Sequence, residues 1–146
     1  MDISEFPAIA AAQPGATHLG VAQGRQRLAV QAFIAEQFAR AHQAHIKHFM
    51  PVLLSLNTAN GALAMACGLR AAAVSDLFLE QYLVQPVEAM LAAAAGKPIA
   101  RNTIVEVGNL AVSAETPARR LIVELTRYLA ATPMLWVVCT VLPQLR

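Results

Sequence analysis

Two rhythms of apolar and polar residues run along the chain, and they predict a series of alternating elements. From about Gln26 to Ala44 the period is helical. Leu28, Phe33, Ile34, Phe38 and Ala41 fall on one stripe, and Gln31, Glu36 and Arg40 lie around the other side. Met50–Leu56 and Leu63–Leu69 are short apolar runs separated by Asn57-Thr58-Ala59-Asn60-Gly61, which predicts an antiparallel hairpin. Leu77–Leu83 reads equally as a short helix or an extended connection. Pro86 opens a helix through about Ala95 that Gly96 and Pro98 stop. Ile104–Val112 has the β-branched content of a strand, interrupted by Gly108. Thr116 as N-cap and Pro117 in the first turn then begin a helix to about Ala131, with Leu121, Leu125, Tyr128 and Leu129 as its buried stripe. Leu135–Val141 is a nearly continuous apolar run, the pattern of a strand covered on both faces. With a short strand at Thr17–Val21, the order is (β)-α-β-β-α-β-α-β. The fold class is α/β (α+β): a mixed sheet flanked by helices, ending in a parallel βαβ crossover.

Length allows one domain. Of the 146 residues, 1–16 read as a flexible arm broken by Pro7, Pro14 and Gly15, and 17–146 as the folded unit. The chain is 57% hydrophobic and 14% charged with a net charge of +2, which excludes a disordered chain. A mean hydropathy of +0.49 raises the question of a membrane span. The longest uncharged stretch, His48–Leu69, folds back at its Asn/Gly turn, and five turn residues at a bilayer centre would be left unsatisfied. No Lys or Arg precedes Arg25, so a signal peptide's basic start is missing, and the expected location is the cytoplasm. Cys67 and Cys139 each sit in an apolar run, as buried reduced thiols do, and nothing around them suggests a disulfide. The nine arginines and two lysines are scattered without interleaved aromatics, which gives nucleic-acid binding no support.

Chemistry concentrates in one strand–loop–helix unit, Ile104 to the helix at Pro117. A glycine inside a strand marks a bulge or a close backbone approach. A helix entered from a strand's C-terminal end offers free N–H groups to a phosphate. Arg119 and Arg120 stand in that helix's first turn, where positive charge opposes the helix dipole. A nearby anion explains them, the alternative being two solvated arginines. Glu106, projecting from a mostly buried strand, is the candidate general base; the alternative is a glutamate bonding a neighbouring backbone. Glu80 and Tyr82 are weaker catalytic candidates. His42, His45 and His48 have helical spacing, but no carboxylate or cysteine partner is in register, so no metal site is expected. No Ser/His/Asp order, glycine-rich nucleotide loop or paired-cysteine motif is present.

Three separated segments carry a resemblance. Glu106-Val107-Gly108-Asn109-Leu110-Ala111-Val112, His48-Phe49-Met50-Pro51-Val52-Leu53-Leu54 and Phe78-Leu79-Glu80-Gln81-Tyr82-Leu83 together resemble the thermostable hemolysin family of bacterial proteins, over about Arg25 to Arg146. That family is similar in fold to GNAT-type N-acyltransferases and to acyl-homoserine-lactone synthases. In the latter, the equivalent strand reads Glu-x-x-Arg-Phe-x-Val. Glu106 and Val112 match it, Leu110 takes the phenylalanine position, and Asn109 replaces the arginine, which argues against lactone synthesis.

The resemblance implies an acyl transfer from an acyl-CoA or acyl-carrier-protein thioester to a small-molecule amine. Glu106 would accept the proton, with Glu80 and Tyr82 beside the acceptor. Gly108, Asn109, Leu110 and Val112 would seat the thioester arm, and Thr116, Arg119 and Arg120 its phosphate. The GNAT phosphate loop falls on Thr116–Arg120, where Ala118 and Arg120 replace its glycines. The resemblance also implies that the sheet's closing elements are missing after Arg146. The apolar strand at Leu135–Val141 would then need a second copy or a partner chain over it. The alternative function is accordingly a non-catalytic GNAT-like module that dimerises through its apolar sheet face.

Overall fold

A computed structural model describes residues 18–141; the expected arm at 1–16 and the last five residues lie outside the described part. The elements follow the expected order. They are β1 (Gly20–Val21), α1 (Gly24–His42), β2 (Val52–Asn57), β3 (Leu63–Ala71), a 3-10 turn (Phe78–Tyr82) and α2 (Val87–Ala95). A second 3-10 turn (Arg101–Thr103), β4 (Ile104–Val112), α3 (Ala118–Ala130) and β5 (Trp136–Val138) complete the series. The five strands form one sheet in the order β1-β2-β3-β4-β5. β1, β2, β3 and β4 are antiparallel neighbours, and β5 runs parallel to β4 after the α3 crossover. This mixed sheet with helices on both sides is consistent with the GNAT-like arrangement.

Strand alternation sorts the core into two faces. Val52, Leu54 and Leu56 of β2, Met65, Cys67 and Leu69 of β3, and Val105 and Val107 of β4 meet Leu121, Leu125, Tyr128 and Leu129 of α3. The opposite residues, Leu53, Ala66 and Ala111, meet Val30 and Ile34 of α1. Ile104, on the α1 side, packs under Leu77 and Val87 from the 3-10 turn and α2. Each fully buried leucine here contributes about 1.5–3 kcal/mol relative to exposure.

One irregularity organises β4. Ala66 pairs with Ala111 but Gly68 pairs with Gly108, so β4 carries one residue more than β3 across this interval. Asn109, at φ 51°, adopts the left-handed conformation that asparagine tolerates. The bulge inverts the strand's parity. Before it, odd-numbered Val105 and Val107 face α3; after it, Val112 packs on that core and Ala111 turns to α1. The paired glycines leave a trough that the Met50 side chain fills. A Cβ at Gly68 would overlap Met50 Cβ and lie 2.6 Å from Met50 Cγ, and a Cβ at Gly108 would lie 2.6 Å from Met50 Cε. Asn109 Oδ1 accepts the Met50 N–H at 2.8 Å, and Arg27 of α1 donates to the Met50 and Pro51 carbonyls at 3.0 and 3.1 Å.

Several expectations need correction. Leu28 is 66% exposed. The stripe of α1 is centred on Val30 and Ile34, with the Arg27 guanidinium turned inward to the chain entering β2. Pro117, rather than Thr116, is the N-cap of α3, because the Thr116 hydroxyl is engaged with Ser113 Oγ at 2.7 Å. Pro86 likewise stands as the cap of α2. The apolar run Leu135–Val141 supplies only three strand residues. Leu135 is 76% and Val137 53% exposed, because α3 covers β3 and β4 rather than β5. Cys139, beyond the end of β5, is exposed; Cys67 is buried, and both are free thiols. No helix among the described residues is long and apolar enough to cross a membrane.

The two facing glycines predict unequal costs. Gly68→Ala sets its methyl against backbone-proximal atoms of Met50 and is expected to cost about 2–3 kcal/mol, whereas Gly108→Ala meets only a flexible methyl and is expected to cost under ~1 kcal/mol. Urea unfolding of both variants measures the difference, and equal costs would refute the Met50 packing.

Candidate functional site

The sequence-predicted residues fall into two separate clusters. The first surrounds the 3-10 turn. Glu106 lies on the α1 side of β4 and is 1% exposed. Its Oε2 accepts the Phe78 N–H and its Oε1 the Leu79 N–H, both at 2.9 Å. The carboxylate thus satisfies the free amides that begin the turn, the role of a capping acid supplied from another element. Arg70 is its cross-strand neighbour on β3 and sends Nη1 to the Asp76 carbonyl at 3.3 Å. With both oxygens engaged and the group sealed, Glu106 bonds a neighbouring backbone rather than projecting into a cleft.

Glu80 is committed to a second clasp. Arg101 meets it through two parallel contacts, Nη1 to Oε1 at 2.7 Å and Nη2 to Oε2 at 2.8 Å. The same carboxylate accepts the Leu77 N–H at 2.8 Å and the Val87 N–H at 3.0 Å. Arg101 also donates to Glu88 Oε2 and to the Ala72 carbonyl, both at 2.7 Å, so one guanidinium ties together β3's exit, the turn and α2. The Arg101 hydrogen bonds hold the Glu80 carboxyl down at about 2, with the two backbone N–H groups adding to the effect. A carboxylate so depressed is a poor base at neutral pH. Tyr82 closes the turn with its ring edge-on to Phe78, centroids 5.9 Å apart, and is 66% exposed.

The second cluster is a groove of about 350 Å³. Its walls come from both layers: Phe38, Ala41 and His42 at the end of α1, Leu110 of β4, and Arg119 and Ile122 at the start of α3. Helices on opposite faces of the sheet meet here because β5 pairs only with Ile104–Glu106. Val107–Val112 therefore have no strand beside them on that edge among the described residues. Val112 also lines the groove, so three predicted residues (Leu110, Val112 and Arg119) come together at it. The His42 ring is steadied by Phe38, centroids 5.5 Å apart. Gly108 and Asn109 form the bulge just upstream, with the Asn109 amide spent on Met50. Arg120 is exposed on the outside of α3, and Thr116 belongs to the preceding turn.

Sequence reasoning missed three participants. Spacing groups His42 with His45 and His48, but α1 ends at His42, and of the three only this ring joins the groove wall. Arg101, the partner of Glu80, lies 21 residues away; a lone arginine before a strand gives no pattern to read. Ile122 had a signal, being an aliphatic residue outside the buried stripe of α3. Among the described residues no three metal-ligating groups cluster together.

The Glu80–Arg101 clasp sets a pH dependence. A carboxyl lowered to about 2 stabilises the fold above its ordinary value near 4.5, and that contribution is lost as pH falls between the two. Glu80→Gln is expected to cost about 2 kcal/mol at pH 7, with the gap to wild type closing toward pH 2. Denaturant titrations at stepped pH check it. A constant gap would show that the pair's charge contributes nothing.

Both clusters and every strand but the first residue of β1 lie within residues 21–146, the span matched by the sequence profile described as thermostable hemolysin. No curated protein and no solved structure matches the chain. The profile covers the sheet, the bulge, the groove and the turn in one continuous match, and the chain belongs to the thermostable hemolysin family.

Proposed function

We propose that the protein is a GNAT-like acyltransferase that takes an acyl thioester, on CoA or on a carrier protein, into the groove at the open edge of β4 and transfers the acyl group to an amine. The observation that carries this reading is the edge itself. Beyond Glu106 no strand borders β4 on that edge among the described residues, and its Leu110, Ala111 and Val112 line a groove with apolar walls and Arg119 at its side. An amide-bearing pantetheine arm can pair with such a strand edge as an added strand would. Phe38, Leu110 and Ile122 suit the acyl and methylene parts, and Arg119 suits a phosphate.

In this mechanism the amine nitrogen attacks the thioester carbonyl, the C–S bond breaks, and the amine proton must be removed. Glu106 and Glu80, both engaged in holding the turn, serve as positioning residues for the wall of the fold. His42 is the acid–base group that lines the groove, and imidazole is the side chain suited to proton transfer near neutral pH. Tyr82 belongs to the 3-10 turn cluster and does not line the groove.

Calorimetry with octanoyl-pantetheine and octanoyl-CoA tests the donor site. Binding of both is expected, weakened at least tenfold by Ile122→Trp, which fills the groove. Thiol release with a panel of amines is expected to fall about 10²-fold in His42→Gln without loss of binding. Absence of any binding by the wild-type protein would refute the reading.

A second reading is favoured by β5. Its outer edge is open among the described residues, and Leu135 and Val137 are exposed beside it. A non-catalytic module that dimerises by joining these edges accounts for that apolar surface. Light scattering would then give a dimer that Val137→Lys dissociates, while a wild-type monomer at high micromolar concentration would count against it.

A further inference from the structure

The groove opens beside a helix surface that the thioester reading leaves unexplained. On α3, Leu121, Glu124, Leu125, Tyr128 and Leu129 are buried against the sheet. Helical geometry then puts Arg119, Val123 and Arg127 in one outward row at i, i+4 and i+8, with Arg120 on one flank and Ile122 on the groove side. Val123 is 48% and Ile122 54% exposed. The single carboxylate of the helix, Glu124, is turned inward, 3.3 Å from His18 Nδ1 and 3.4 Å from Arg127 Nη1. The outer surface is therefore basic and apolar together, with no acid of its own on the crest.

Arg119 and Arg120 have a cost and no return among the described residues. They sit in the first turn, where the helix dipole disfavours positive charge and where no acidic residue balances them. Neither makes a side-chain hydrogen bond or ion pair among the described residues. An external anionic partner supplies the missing compensation. A small phosphate ester at Arg119 leaves Arg120 on the outer flank without a counterpart, and the turn adds few amides. Thr116 N–H bonds the Ser113 carbonyl, Pro117 has no N–H, and Arg120 N–H bonds the Pro117 carbonyl. A membrane surface also fits poorly. The row from Arg119 to Arg127 is about 12 Å long, and the apolar face of α3 is already spent on the sheet rather than free to insert.

We infer that the outer face of α3 docks an acidic acyl-carrier-protein domain, whose phosphopantetheine arm carries the acyl thioester into the adjoining groove. The inference rests on the groove being a thioester site, and it names the form in which the donor arrives. Carboxylates of the carrier meet Arg119 and Arg120, and its apolar residues meet Val123. Ile122, shared between crest and groove, marks where the arm turns inward.

Fluorescence polarisation with an octanoyl-loaded bacterial acyl carrier protein tests this, alongside calorimetry with octanoyl-pantetheine and sedimentation with anionic phosphatidylglycerol vesicles. The loaded carrier is expected to bind at least tenfold tighter than octanoyl-pantetheine, with affinity that falls as salt rises. Arg120→Glu and Val123→Asp, which lie outside the groove, are expected to cut carrier binding at least tenfold and leave octanoyl-pantetheine binding unchanged; circular dichroism checks their folding. Octanoyl-pantetheine bound without preference for the carrier, or carrier binding indifferent to Arg120→Glu, would overturn the docking face and leave the groove reading intact. No binding of either would overturn both. Vesicle binding without carrier binding would replace the carrier with a lipid surface and overturn the inference.

Discussion

The structure depends on the one extra residue in β4. A regular strand would keep Val105, Val107, Asn109 and Ala111 on the same face, and α1 and α3 would each lose a core contact. By spending Asn109 in the left-handed conformation, the strand presents valines to α3 before the bulge and Val112 to the same core after it. The device is affordable because three neighbours share it. Gly68 and Gly108 face each other without side chains, Met50 fills the trough they leave, and the Asn109 amide takes the Met50 N–H. Arg27 then anchors the Met50 and Pro51 carbonyls from α1. Strand, hairpin entry and helix are thus positioned by one local irregularity.

The same bulge separates two kinds of chemistry. Upstream, β4 is paired on both sides and its α1-facing side chains are sealed, so the Glu106 carboxylate is stable only because two amides of the 3-10 turn meet it. Downstream, β5 has ended and the strand edge lies open beside the groove. Side chains two to six residues apart therefore live in different regimes. A buried acid held by backbone donors supports the wall; a strand edge with free peptide groups is available to a ligand. The carboxylates hold the frame, and the groove lies at the open strand edge.

This division explains what was legible in the sequence. The extent of β4 was readable to the residue, because β-branched residues and the following turn bracket it. Gly108 signals the bulge, and the apolar residues of the α3 stripe are legible, whereas the buried Glu124 among them is not. The errors share a cause. Thr116, Leu28 and Leu135–Val141 were assigned from local pattern, and each was overridden by a contact distant in sequence or by its absence: Ser113 for Thr116, the inward Arg27 for Leu28, and uncovered space beside β5 for the apolar run. Glu106 shows the same limit. A glutamate in a strand announces a buried acid, but whether it meets a substrate or two amides depends on the 3-10 turn 27 residues before it. The groove was half legible. Leu110, Val112 and Arg119 came from the strand–helix unit, whereas Phe38 and His42 reach it only because α1 ends across the sheet edge.

The family and the geometry bear on different questions. Membership in the thermostable hemolysin family fixes kinship over 126 residues and says nothing of chemistry at the groove. The geometry constrains that chemistry by elimination. Glu106 and Glu80 are both consumed in hydrogen bonds, and no carboxylate lines the groove among the described residues. A mechanism that needs a strand edge, an apolar slot, an imidazole and an arginine finds all four within one groove. Arg119 and Arg120 stand against the dipole of their own helix and have no ion-pair partner among the described residues. The groove and the outer face of α3 share Arg119 and Ile122, so one bound partner can satisfy both the slot and the uncompensated charge.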